Sequence, residues 1–425
     1  MIDPDSQSVL RREISARITA DRSLLDELRK ELQSLKGQVR RIQPRTTTAI
    51  SLVGTDGGNN SIAFDPFLIQ IVRVVDSSNN EYCLVRQPHL AAVCPSARSS
   101  RVQPSAPARD GLRSGWPPRG GSEAVVLEAI SPTSDIAALG ARQFGSSGEP
   151  TTALGEMMAY LEVTNLAQLS HMIRPGKKGD PISPTWVQVY RELMEWAILF
   201  KLVRQKDFGT DTIVVFDGLL RSKAFAGDLF RRLIVGLQEG IVRLYRRSRR
   251  RLYVAGVSKR SKVLDRYRLA MALEGIMASD FPAYVEIPRE IEEKAYVWAE
   301  YARGNDREGA GSAELNKFVG GKMFFVKFGR RPRDPIWPVD IFEPQVGEAP
   351  VVLGCMLSDA LDGFPVPLYP RCLQKAHENA ALVDFDFTVL QDHIFGGIRE
   401  ILGSEAPILD TFRLQDLDPA QERYG

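Results

Sequence analysis

Between residues 7 and 43 apolar side chains recur mostly at every third or fourth position: Leu10, Ile14, Ile18, Leu25, Leu28, Leu32, Leu35, Val39 and Ile42. That period predicts one long helix with an apolar stripe and a charged opposite face, and Pro44, which has no amide hydrogen to extend the ladder, is its expected stop. The stripe either packs on the helix's own domain or meets a second subunit. The pattern then changes to short, continuous apolar runs. Ala49-Ile50-Ser51-Leu52-Val53-Gly54 leads through Thr55 into Asp56 and Gly57-Gly58, so a buried strand is expected to end at the two glycines with Asp56 at its terminus. Phe67 to Val75 and Tyr82 to Val85 flank the turn-like Asp76-Ser77-Ser78-Asn79-Asn80, a hairpin signature.

Three successive strands in meander, followed by helices and returning strands, is how a ribonuclease H-like sheet begins. The fold expected is therefore α/β: a ribonuclease H-like mixed sheet flanked by helices, with a long N-terminal helix and inserted loops. Downstream, helical periodicity near 134 to 171 is broken by Gly145-Ser146-Ser147-Gly148. Trp186 to Val203 forms a strong helix with Val189, Leu193, Trp196, Ala197 and Phe200 on one face and Glu192 and Glu195 about one turn apart. The run Thr212 to Phe216 is an apolar strand leading into Asp217-Gly218. A helix carrying Leu229, Leu233, Leu237, Ile241 and Leu244 and a strand Leu252 to Val257 come next. Residues 287 to 303 read as helix, and Met323 to Phe328 and Pro338 to Phe342 as two strands of a hairpin. Residues 95 to 121, rich in Pro, Ser, Arg and Gly, read as a surface loop or disordered insertion, having almost no apolar period with which to bury themselves. The organisation expected is an N-terminal helical segment, 1–45, followed by one large domain, 46–425, that carries this insertion.

Composition narrows the class only a little. The 425 residues are 44% apolar and 25% charged, as in soluble globular chains. A balance of 55 basic against 53 acidic residues does not by itself imply nucleic acid, so any DNA contact must come from local clusters. Two stand out: Arg246, Arg247, Arg249, Arg250 and Arg251 at the end of a helix, and Arg330, Arg331 and Arg333 at the tip of the hairpin. The first also complements the helix dipole, although five arginines in six residues exceed what a cap requires. Cys83, Cys94, Cys355 and Cys372 show neither a CxxC pair nor secreted-type spacing and read as free thiols in a reducing compartment. No apolar run approaches the length that spans a bilayer, so the expectation is a cytoplasmic protein without membrane contact.

The candidate chemistry lies in the two strand-Asp-Gly units. Each Asp-Gly alone is an ordinary turn. If the two strands are sheet neighbours, however, Asp56 and Asp217 converge at one edge, where two carboxylates repel unless a cation lies between them. That is the case for a divalent metal.

With these units, the strand Leu252 to Val257 delivering Ser258-Lys259, and the stretches Gly363-Phe364-Pro365 and Ala376-His377, the chain resembles the NurA family of nucleases from about residue 10 to about 400. The resemblance implies a metal-dependent deoxyribonuclease using Mn2+ or Mg2+, a homodimer acting on DNA beside a HerA-like hexameric ATPase in end processing or phage defence. It implies a catalytic set of Asp56, Asp217, a glutamate on the preceding helix (Glu195, with Glu192 in reserve), Lys259 beside the phosphate, and His377 as ligand or proton donor. Two ions roughly 4 Å apart would assist the water and the leaving oxygen. There are departures: Gly58 and Leu219 stand where the family has serines, and Phe364 replaces a tyrosine, which puts a phenolic hydrogen bond in doubt. The rival readings are a scaffold that retains a nuclease fold to dock on a translocase, and a phosphotransferase of the actin-like superfamily.

Overall fold

The computed structural model describes residues 4–45, 50–64, 67–77, 81–90, 140–173 except 142 and 146, 184–206, 208–295 and 317–381, with isolated positions from 392 to 404. The insertion at 95–121, the basic stretch Arg174-Pro175-Gly176-Lys177-Lys178-Gly179, which the sequence reads as a loop, and the expected helix beyond residue 295 lie outside these.

Helix α1 (Pro4–Ala20) is followed by α2 (Arg22–Leu32), and the helical hydrogen bonding runs across Asp21: its amide donates to Arg17 and its carbonyl accepts from Leu25. A single 3-10 turn, Gln33–Leu35, then ends the helix well before Pro44. Gly37 follows, and the chain becomes extended as β1 (Arg40–Arg41), which pairs with a strand near residue 283. Val39 and Ile42 thus continue the apolar count of the helix without belonging to it. The stripe divides in use as well. Leu32 and Leu35 are fully buried, with Leu25 and Leu28 packed against the same cluster, whereas Val9, Leu10 and Ile14 are each close to half exposed. Arg29–Glu274 (2.6 Å) and Tyr267 to Glu31 (2.7 Å) add polar ties at that end.

The meander follows as β2 (Ile50–Phe64), β3 (Phe67–Asp76) and β4 (Glu81–Leu90). β2 does not stop at Gly57-Gly58, as expected, but continues through them, paired residue for residue with β3 from Thr55↔Asp76 to Phe64↔Phe67. Helices α3 (Ala153–Tyr160), α4 (Leu166–Leu169) and α5 (Pro184–Gln205) lead to β5 (Asp211–Asp217), then α6 (Leu229–Ser248), β6 (Leu252–Val257) and α7 (Lys262–Leu273). The chain continues with β7 (Ala283–Glu286), α8 (Arg289–Ala295), β8 (Gly321–Lys327), β9 (Trp337–Phe342), α9 (Ala349–Leu361) and α10 (Arg371–Ala380).

Among the described residues nine strands form one mixed sheet in the order β1-β7-β8-β9-β6-β5-β2-β3-β4. β5 is parallel to β2 and to β6, and the other pairs are antiparallel. Helices cover both faces of the central strands, so β5 is apolar at successive positions and alternates in direction. Val214 and Phe216 pack with Leu193, Trp196 and Leu233 of α5 and α6, the Trp196 and Phe216 rings 5.0 Å apart. Ile213 and Val215 pack on the other face with Val352 and Leu373 of α9 and α10. Truncating a fully buried aliphatic side chain such as Ile213 to alanine typically costs about 2–5 kcal/mol.

Candidate metal centre

The parallel register places the two acids. β2 pairs with β5 only as far as Thr55↔Phe216, so Asp56 and Asp217 are the next residue on each strand, at the edge where the ladder between them ends. Gly218 makes the turn after β5 with φ 139°, a backbone region that side-chain-bearing residues rarely adopt, and its amide donates to Val257 (2.8 Å). The Asp-Gly turn expected after the second strand is therefore present, while the first Asp-Gly lies inside a strand.

The glycines of β2 have another reason for being there. A Cβ on Gly58 would meet the Ala380 carbonyl of α10, and one on Gly57 would meet the Glu195 carboxyl of α5. Side chains alternate between faces along a strand, so Asp56 shares the α10 face with Gly58, and Gly57 faces α5. Glu195 reaches the acidic edge from the opposite side of the sheet through the space that Gly57 leaves. Its ion-pair partner is Arg191 (3.3 Å), one turn back on α5. Glu192, the reserve, is turned aside: its carboxylate accepts from the Ser222 hydroxyl.

On the α10 face, Asp56, Asp217 and His377 each present a ligand atom within 4.8 Å of the others. His377 Nδ1 lies 2.8 Å from Asp56 Oδ2, with Asp56 7% exposed and the His377 side chain 60% exposed. The imidazole thus stands at the open side of a carboxylate pair that is mostly enclosed. Tyr369, just before α10, donates its phenolic hydroxyl to Asp217 Oδ1 (3.2 Å). Its ring packs edge-on against Trp337 at 4.9 Å and lies 5.4 Å from Lys259 Nζ. Sequence reasoning missed this residue, which stands five positions beyond Phe364 within Pro-Leu-Tyr-Pro. Phe364 itself is exposed. Lys259 is held by its own loop, where the Ser258 hydroxyl donates to the Arg260 carbonyl (2.6 Å) and Ser261 caps α7.

Electrostatics bear the marks of crowding. Burial, then the charge of Asp56, pushes Asp217 up to about 6, against the pull of Lys259, the Tyr369 hydrogen bond and His377. Burial likewise lifts Glu195 well above the carboxylate range, opposed by Arg191 and reinforced by Asp56, Glu192 and Asp217. Burial and the neighbouring Asp217 raise the Tyr369 phenol, which keeps it a hydrogen-bond donor. Oxygen donors with one imidazole, in a site where ionised carboxylates repel, suit a hard divalent cation such as Mg2+ or Mn2+.

The two arginine clusters fall on opposite edges of the sheet. Arg251 donates its amide to Asp211, at the start of β5, six residues and about 20 Å from Asp217 at 3.3 Å per residue. Arg250 donates to the Phe208 carbonyl and Arg251 to the Tyr253 hydroxyl, so both are engaged in that far loop, while Arg249 takes a left-handed cap conformation. Arg246 and Arg247 lie in the last turn of α6, at the same end. The tip carrying Arg330, Arg331 and Arg333 is on the acidic edge instead, because β9 pairs with β6 and Ser258 N donates to Pro338 O (3.1 Å). All three arginines are exposed there.

An acid raised by its fold stabilises the protein in its protonated form: that contribution is complete below the unfolded value near 4 and is lost as pH rises through about 6. In metal-free buffer, Asp217→Asn should therefore be more stable than the parent at pH 8, by on the order of 1–3 kcal/mol, and should have no such advantage below pH 4. Millimolar Mn2+ should raise the melting temperature of the parent and not that of the variant. Thermal melts across pH, with and without the ion, check all three expectations.

No family model matches the chain, and no curated protein matches it. Among solved structures it is similar to the NurA nuclease from Sulfolobus solfataricus, with 12% identity over 95% of this chain and 99% of that one and a TM-score of 0.39. A NurA structure bound to dAMP and manganese gives 11% identity over 88% and 94% with a TM-score of 0.32, and one with manganese 12% over 87% and 95% with 0.30. Over most of its length the chain is thus similar to NurA nuclease structures.

Proposed function

We propose that this chain is a divalent-metal-dependent deoxyribonuclease that hydrolyses phosphodiester bonds. The observation that carries the reading is the meeting of Asp56, Asp217 and His377 within 4.8 Å, with Glu195 entering over Gly57 from the other face. Asp56, Asp217, Glu195 and His377 would hold the ions, Mn2+ or Mg2+, which supply relief of charge on the phosphate and a more acidic water. Tyr369 orients Asp217 by its hydrogen bond, and Lys259, packed on that same ring, offers a point charge to a phosphate oxygen. The ribonuclease H-like reading of the sheet belongs to this proposal; it is supported by the antiparallel meander β2-β3-β4 with β5 and β6 added in parallel on its other side. Asp56→Ala or Asp217→Ala should abolish Mn2+-dependent cleavage of DNA with the circular dichroism spectrum intact. Undiminished cleavage by both variants would sink the assignment.

The DNA path follows from the sheet edges. Phosphates reaching the acidic edge pass the tip of the β8-β9 hairpin, whereas Arg246, Arg247, Arg249, Arg250 and Arg251 lie about 20 Å away across the sheet. Replacing Arg330, Arg331 and Arg333 with Ala should flatten the slope of log K against log salt by about 0.9 for each lost duplex contact. Replacing Arg246 and Arg249 should leave the slope unchanged. Titrations at several salt concentrations distinguish the two clusters.

Assembly is the third part of the proposal: a homodimer docked on a HerA-like hexameric ATPase in DNA end processing or phage defence. It is supported by the sequence resemblance and by Val9, Leu10 and Ile14, which α1 leaves exposed while α2 is anchored in the core. Deleting residues 1–20 should leave the melting temperature nearly unchanged and should reduce solution mass or co-elution with the ATPase. A truncated protein that stays dimeric and still binds would remove α1 from both contacts.

A further inference from the structure

The segment between α9 and α10 ends at Tyr369 and is unusually well tied for a loop. Gln374, itself 6% exposed, accepts from the Val366 amide (2.8 Å) and donates to the carbonyls of Val366 and Tyr369 (2.9 Å each). Trp337 Nε1 donates to the Leu368 carbonyl at 2.6 Å. A Cβ on Gly363 would meet the Tyr369 carbonyl, so the loop closes tightly on itself. On this pinned loop Phe364 stands 81% exposed. Packing does not require it there, since an aromatic ring left in water contributes almost none of its burial energy.

The loop also has a definite address. Gln374 and His377 are three residues apart on α10, on the same flank of the helix, a rise of about 4.5 Å. Gln374 holds the loop, and His377 touches Asp56. The other end of the loop touches Asp217 through Tyr369. Phe364 is therefore mounted within roughly a nucleotide or two of the acidic cluster. Arg371 and Lys375, one turn apart, are exposed on α10, the helix that begins two residues after Tyr369. A flat apolar ring on a rigid mount, close to a carboxylate cluster that can hold a cation, is what an unpaired nucleobase fits.

We propose that Phe364 is a stacking platform for an unpaired base of the DNA strand entering the site; the inference rests on the nuclease reading. Ring stacking needs the base unstacked from its neighbours, so the platform favours single-stranded or frayed ends over internal duplex. The ring contributes binding and registration of the strand, and the chemistry stays with the acids.

The test compares Phe364→Ala, Phe364→Leu and Phe364→Trp on single-stranded oligonucleotides carrying 2-aminopurine at successive terminal positions. Wild type and Phe364→Trp should quench the probe at one position. Ala and Leu should lose that quench and raise KM about 5- to 150-fold, the range expected for one lost base stack, with kcat little changed. Leu behaving as wild type would mean an apolar contact without stacking, and would overturn the proposal. So would an Ala variant with wild-type KM and quench, including one whose solution mass changes, since that ring would serve a protein contact. If the wild type neither binds nor cuts DNA, the nuclease reading fails and this one falls with it. If the wild type cuts and Ala cuts equally well, only the platform is lost.

Discussion

Three carboxylates are forced towards one edge of a sheet, and the surrounding structure is arranged to tolerate that repulsion. Asp56 and Asp217 are brought there by a parallel register that ends one residue before them, and Glu195 arrives from the opposite face through the gap at Gly57. Burial and a neighbouring like charge each raise a carboxylate's proton affinity, and each tenfold rise in that affinity corresponds to about 1.4 kcal/mol. Burial first, and the neighbouring carboxylates after it, raise Asp217 to about 6 and Glu195 well above its ordinary range. The fold bears this cost because β5 is committed by apolar burial on both faces, and a local rearrangement that relieved the charges would expose that core.

What surrounds the acids restricts their movement. The turn after Asp217 is anchored on two sides: Ser222 donates to Glu192 of α5, and Arg221 makes a two-pronged pair with Asp340 of β9 at 2.9 and 2.6 Å while reaching Glu292 of α8 at 3.1 Å. Asp340 and Glu292 are fully buried. Removing one partner of such a network typically costs about 3–5 kcal/mol, because the remaining charge is left without a partner in low dielectric. On the other face, Tyr369 bonds Asp217 and is itself wedged against Trp337. A carboxylate held from both directions can present the same oxygen to a cation on each encounter, a requirement that flexible side chains on open loops do not meet.

The weak net charge takes on meaning once its distribution is seen. With only +2 overall the molecule has no broad field to gather DNA, but its basic groups are segregated by the direction of the strands. Strands β5 and β6 begin at the edge that holds the 246–251 arginines and end at the edge that holds the acids, Lys259 and the hairpin tip. Local cations near the acids can therefore act over a Debye length of about 8–10 Å, while those at the far edge are screened from them.

Much of this was written in the local pattern. Continuous apolar runs are required of strands covered on both faces, so β2, β3, β5 and β6 and the helix between Asp217 and Lys259 were legible, as was the pairing of the two strand-Asp units. The end of the N-terminal helix was not: Val39 and Ile42 keep its period by chance of count, and only the pairing of Arg40 and Arg41 with β7, a contact over two hundred residues away, turns the chain aside. Gly57 and Gly58 were read as a strand end because backbone freedom is the local property of glycine. Their use here is steric and depends on α5 and α10, which no window around residue 57 contains. The placing of Tyr369 beside Asp217 has the same origin. Periodicity shows which face a residue takes on its own element; which groups meet across elements is decided by register and packing, and a catalytic site consists of such meetings.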